Sequence, residues 1–323
     1  MRSRAAVPAH TGLPVGTAPA DGPSPSGSPA PSRAPRAASG PLLVLAAAAL
    51  WGTTGTAASF APSGASSLSI GAATMGVGGL LTLLIAGRSA LGVLRGGRAT
   101  LLSALVGGLA VAVYPLVFYT SMAWAGVATG TVITIGSAPV FAALLERVLD
   151  GTRLTARWTT ATVAAAAGCC ALALTGHGGA AAGGNVPGGV ALGLLAGASY
   201  AVYTYCGAGV IRAGHSSRAS MGALFGLGAL VLLPVFAATG GPLLGEGRGI
   251  AVAAYLAVVP MCVAYVLFGA GLARVSASQA TTLSLFEPVV AAVLGVAVVG
   301  ERLGAWAWAG REDQQAQEDQ RYA

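Results

Sequence analysis

The chain has 323 residues, 55% of them hydrophobic and only 8% charged, with mean hydropathy +0.75 and formal net charge +7. Soluble domains carry roughly a quarter charged residues, so a water-soluble globule is excluded. The 17 basic residues, all Arg, are scattered singly between apolar runs, which excludes a nucleic-acid-binding face and leaves an integral membrane protein whose apolar side chains face hydrocarbon.

In chain order, residues 1–40 are rich in Pro, Ala, Ser and Gly and carry Arg2, Arg4, Arg33 and Arg36. They hold too little apolar surface to fold and are expected to form a disordered cytoplasmic tail. A secretory signal is not expected, because the apolar run starts late and is long enough to span. Apolar runs predict helices near 41–60, 68–87, 100–120, 125–146, 158–176, 188–210, 219–239, 249–270 and 277–299. Each has the roughly 20 residues that cross about 30 Å of hydrocarbon at 1.5 Å per residue. The runs are continuous rather than alternating, which favours helices over a barrel. Gly189, Gly193 and Gly197 fall four apart, as do Gly222 and Gly226, a spacing that lets helices approach closely; among 49 glycines it is a weak signal. Cys169, Cys170, Cys206 and Cys262 lie in apolar stretches without metal or redox spacing and read as buried, unpaired thiols. No metal site and no cofactor are expected.

The arginines predict an orientation. With residues 1–40 in the cytoplasm, 13 fall on the inner side and two, Arg248 and Arg302, on the outer, leaving aside Arg311 and Arg321. The positive-inside rule therefore puts the N-terminus in the cytoplasm.

The chain repeats itself. "PVFAALLERVLDGTRL" (139–154) aligns without a gap on "PVVAAVLGVAVVGERL" (288–303), with 8 identities in 16 positions, including Pro139/Pro288, Gly151/Gly300 and Arg153/Arg302. The offset of 149 residues also pairs Trp51 with Tyr200. Five helices, an odd number, separate the copies, so the second enters the membrane from the opposite side. The expected fold is an all-α polytopic membrane protein of two inverted five-helix repeats, residues 41–176 and 188–310, an architecture of secondary transporters.

Two inverted five-helix halves, a "FEPV" stretch in the ninth helix and "GERL" just after it resemble the EamA family of the drug/metabolite transporter superfamily, over residues 41 to about 310. The resemblance implies a ten-helix inner-membrane permease for small metabolites, often an exporter of amino acids or related compounds. The chain departs from that pattern where the tenth helix should run: after "LGAWAWAG" (303–310) comes the polar tail "REDQQAQEDQRYA" (311–323). About nine full spans and a stub are expected. This departure motivates the alternative reading, a degenerate membrane protein without transport activity or an interaction partner.

Glu287 is the acid expected well inside a span, and Pro288 beside it frees a backbone carbonyl about one turn back and bends the helix. A charge at that depth faces a cavity, a partner or water, so Glu287 is the first candidate for binding a substrate ammonium or a proton. Hydrogen bonding that fixes helix packing is the bland alternative. The acid–Pro pair recurs in the family across different cargo, which favours a shared coupling role. Trp51 and Tyr200, paired by the repeat, with Tyr114 and Tyr119, supply rings and hydroxyls suited to an amphipathic metabolite; Ser137 and Gln279 offer hydrogen bonds along helices four and nine. Glu146 and Arg147 on one side and Glu301 and Arg302 on the other are expected at solvated or paired rims, with gating as a further role. An enzyme is not expected: no nucleophile–base pair falls at membrane depth, and HExxH, Walker A and GxGxxG in context are absent from the sequence. Lacking a nucleotide-binding segment, this chain would draw work from an ion or substrate gradient. The expected partners are a small-molecule substrate, the lipid bilayer and, as an option, a second copy in a homodimer; nucleic acid is not one.

Overall fold

A computed structural model describes residues 39–152 and 185–299, with isolated positions between 156 and 167. The described residues are helical and contain no strand. Eight helices among them are long and apolar enough to cross a membrane. They are α1 (Ser39–Ala58), α2 (Ser67–Ala86), α3 (Arg98–Ala125), α4 (Val127–Leu149), α5 (Val186–Arg212), α6 (Ser217–Thr239), α7 (Gly247–Leu272) and a last, broken span of α8 (Ala277–Ser284) and α9 (Glu287–Leu294). The fifth expected span lies largely outside the described residues, as do the polar tail, Glu301 and Arg302.

Local chemistry sets the boundaries. Ser66, Asn185, Ser216 and Ser276 each accept a hydrogen bond from a backbone N–H in the first turn of the helix that follows, satisfying donors that a helix start leaves unpaired. A single residue, Gly126, joins α3 to α4 with φ of 91°, a left-handed conformation that glycine takes without strain. Pro260 lies within the π-helical segment Ala257–Val263 of α7, where a proline has no N–H to give the ladder.

Helix direction alternates from α1 to α4 and again from α5 to α8, while α4 and α5 run the same way, and contacts fix the two ends. At one end Gly40 meets Arg274, Gly96 meets His215, and Asp150 takes Arg212 at 3.5 Å and the Tyr205 hydroxyl at 2.6 Å. At the other, Arg248 lies over the Phe60 ring at 5.7 Å and Gly189 packs against Ala125. Thus α1 runs from the first end to the second and α5 runs back. Of the eight described arginines, Arg88, Arg95, Arg98, Arg147, Arg212, Arg218 and Arg274 belong to the first end and Arg248 alone to the second.

The interior is built from small residues. Between membrane helices the hydrophobic effect gives little drive, so close van der Waals contact and polar bonds do the work. Along α5, a Cβ at Gly189 would stand 2.6 Å from Ala125 Cβ, one at Gly193 2.9 Å from Ser121 Oγ, and one at Gly197 2.6 Å from the Thr134 carbonyl. Where the backbones meet, Ser121 donates to the Gly189 carbonyl (2.7 Å) and Thr134 to that of Gly193 (3.2 Å). The spacing that was weak evidence in the sequence is a packed seam. Outward-facing Leu42, Leu84, Leu109, Val148 and Leu230 stay exposed, as a lipid-facing surface requires.

Candidate functional site

Helix irregularities make room at mid-length. Pro288 cannot donate to the carbonyl of Ser284, four residues back. The helix there tightens, with Leu285 N–H bonding Thr282 and Phe286 N–H bonding Leu283, and restarts at Glu287. Gly52 of α1 lets this restart come close: a Cβ there would lie 2.6 Å from Val290 Cβ and 2.9 Å from the Glu287 carbonyl. Pro115 lies inside α3, and Pro260 inside the π segment of α7.

Between these breaks lies a cavity of about 80 Å³, lined by Trp51 and Thr54 of α1, Thr74 of α2, Tyr114 and Tyr119 of α3, Tyr200 and Tyr203 of α5, Tyr265 of α7, and Glu287. On the scale of 10–15 Å³ for one water, it holds several. Seven aromatic rings border it. Trp51 lies 4.9 Å from Tyr265 and, edge to face, 6.3 Å from Tyr200; Tyr200 stacks on Tyr203 at 5.2 Å. Toward the arginine-rich end two hydrogen-bonded pairs form a floor: Tyr200 with Ser284 (2.6 Å) and Tyr203 with Tyr265 (2.8 Å). The first ties α5 to α8 and the second ties it to α7. The Glu287 carboxylate has no hydrogen bond or ion pair among the described residues. The indole N–H of Trp51, a residue 8% exposed, also lacks an acceptor among the described residues. An orphaned buried donor is costly.

The model of the EamA-like transporter family matches residues 38–174 and again 187–311. The chain belongs to the EamA-like transporter family. It is 36% identical over 272 residues to the uncharacterized transporter YwfM of Bacillus subtilis (strain 168), covering 83% of this chain and 88% of that protein. A solved crystal structure at 21% identity superposes with a TM-score of 0.62 over 81% of this chain and 88% of its own, a likeness of fold alone. The protein is a multi-pass membrane transporter.

Within this EamA fold, five of the expected site residues meet in one cavity: Glu287, Trp51, Tyr200, Tyr114 and Tyr119. Pro288 acts one step away by breaking the helix. Four others lie elsewhere. Ser137 donates to the Thr134 carbonyl (3.2 Å) and faces Gly197 in the α4–α5 seam. Gln279 is exposed and closes a capping box, accepting the Ser276 N–H at 3.2 Å while Ser276 Oγ accepts its own N–H. Of the two expectations for Glu146, solvated or paired, it is paired: the residue is 5% exposed, and its carboxylate accepts the Ser278 hydroxyl (2.6 Å) and backbone N–H (3.1 Å). The first turn of α8 presents unpaired N–H groups and the positive end of its dipole, so a carboxylate from α4 is held there. Arg147 remains exposed, reaching the Thr152 carbonyl at 3.5 Å.

Thr54, Thr74 and Phe118 are lining residues that the sequence reading left out, and Tyr203 and Tyr265, legible only as further aromatics within the spans, line the cavity too. One signal was available: the offset of 149 that pairs Trp51 with Tyr200 also pairs Thr54 with Tyr203.

Proposed function

We propose that the chain is a secondary-active transporter, working by alternating access between two inverted halves, that exports small metabolites such as amino acids and related compounds. One observation carries this reading: a mid-depth cavity lined from both halves contains a carboxylate without a partner among the described residues and has a hydrogen-bonded floor toward one end. The opposed courses of α1 and α5, and the two separate matches of the family model, support the inverted repeat. Seven described arginines at one end against one at the other support a cytoplasmic N-terminus in the plasma membrane.

In this reading the Glu146–Ser278 bonds, the Tyr200–Ser284 pair and the Tyr203–Tyr265 pair close the cytoplasmic side, and all three open when the cavity turns inward. Glu287 binds the cargo's cationic group or a coupling proton, and Trp51, Tyr114, Tyr119 and Tyr200 line the path. The test compares metabolites inside and outside cells carrying the wild-type chain, Glu287→Gln or no chain. A small set of compounds shifted outward by the wild type, and lost in Glu287→Gln at equal membrane level, is the expected result. Profiles identical in all three would favour a membrane protein without transport activity.

A further inference from the structure

The chemistry of the cavity is one-sided in charge. Glu287 is the charged group among its described lining residues, and the rest of that lining is rings, hydroxyls and apolar side chains. Tyr200, Tyr203 and Tyr265 commit their hydroxyls to Ser284 and to one another, which leaves ring surface as their main offering to a guest. The ring pairs Tyr114–Phe118 (5.5 Å, interplanar 8°) and Tyr200–Tyr203 (5.2 Å, 27°) are stacked, whereas Trp51 stands edge to face on Tyr200. Aromatic faces attract cations through their negative quadrupole, and flat apolar bodies pack well between such rings.

Resting on the reading of this cavity as the transport site, and narrowing its cargo from amino acids to their carboxylate-free relatives, we infer that it takes an organic amine without a carboxylate: a protonated nitrogen on Glu287 and a flat apolar body against the rings. An amino acid would bring the same ammonium group, but in about 80 Å³ its carboxylate would sit within a few ångström of Glu287. Like charges so close, at an effective dielectric constant near 20, favour the amine by about tenfold or more. The neutral hydroxyls of the lining soften that repulsion without supplying a countercharge.

The test uses three probes with one ring system: 2-phenylethylamine (cation), L-phenylalanine (zwitterion) and 3-phenylpropionate (anion). Binding is followed by calorimetry on the purified full chain and by counterflow in proteoliposomes. The amine is expected to bind about tenfold or more tighter than the amino acid, with the acid weakest. In Glu287→Gln, folded to the same melting temperature, the amine's advantage should fall to about threefold or less. Equal or tighter binding of L-phenylalanine, undiminished amine binding by Glu287→Gln, or no binding of any probe overturns the inference. The transport reading is judged separately. Amine that binds but does not exchange across the membrane upholds the charge preference and counts against transport, whereas exchange of L-phenylalanine alone does the reverse.

Discussion

Two acids lie within the helical bundle, and their surroundings are opposite. Glu146, near the arginine-rich end, has its carboxylate filled by the hydroxyl and N–H of Ser278. Glu287, at mid-depth, faces a cavity and has no hydrogen-bonding partner among the described residues. An acid whose acceptors are all engaged with the protein holds helices together; one left open to a cavity is available to something that comes and goes. Both acids are also asymmetric in the repeat. At the 149-residue offset Glu287 stands opposite Ala138 and Glu146 opposite Gly295, so one half alone supplies the cavity's charge and one end alone has the carboxylate clasp.

The largest expected effect sharpens that contrast through function. Glu287→Gln should reduce cargo flux by about 100-fold, from loss of a charge-assisted contact of roughly 3 kcal/mol. Its unfolding free energy in detergent should change by less than about 1 kcal/mol, since no protein partner is lost. Glu146→Ala should behave inversely: two charge-assisted bonds vanish and the Ser278 N–H is left buried, costing about 3 kcal/mol in thermal unfolding. If Glu287→Gln unfolds the protein and Glu146→Ala leaves its melting unchanged, the comparison is broken. Gly197→Val presses a branched side chain onto the Thr134 carbonyl and should cost about 1–3 kcal/mol by overpacking. Ser278→Ala keeps the backbone bond to Glu146 and should cost about 1–2 kcal/mol. Smallest is Tyr203→Phe, which leaves the Tyr265 hydroxyl without its partner, for about 1 kcal/mol.

The described spans were legible because lipid demands long, unbroken apolar runs, and eight of the nine expected helices appear within a few residues of their predicted limits. The bend at Pro288 was legible from proline chemistry. The role of Glu146 was not. Beside Arg147 and Asp150 it reads as part of a polar rim, and the partner that buries it is 132 residues away. Gln279 misled for a related reason. In sequence it looks like a polar residue placed inside a span, whereas the capping box at Ser276 puts it at the helix's exposed start. Local charge and polarity told what these side chains could do, and only packing between distant helices told where they are. Tyr203 and Tyr265 show the same limit: each reads as one more aromatic in an apolar run until the 2.8 Å bond joins them.

The central claim is that the Glu287 cavity faces each side of the membrane in turn. Thr54 lines it, so the direct measurement labels Thr54→Cys, in a chain whose four native cysteines are replaced, with a membrane-impermeant thiol reagent in right-side-out and in inverted vesicles. The account predicts labelling from both faces, with Glu146→Ala speeding the reaction from the arginine-rich side. Labelling confined to one face, unchanged by Glu146→Ala, would contradict it.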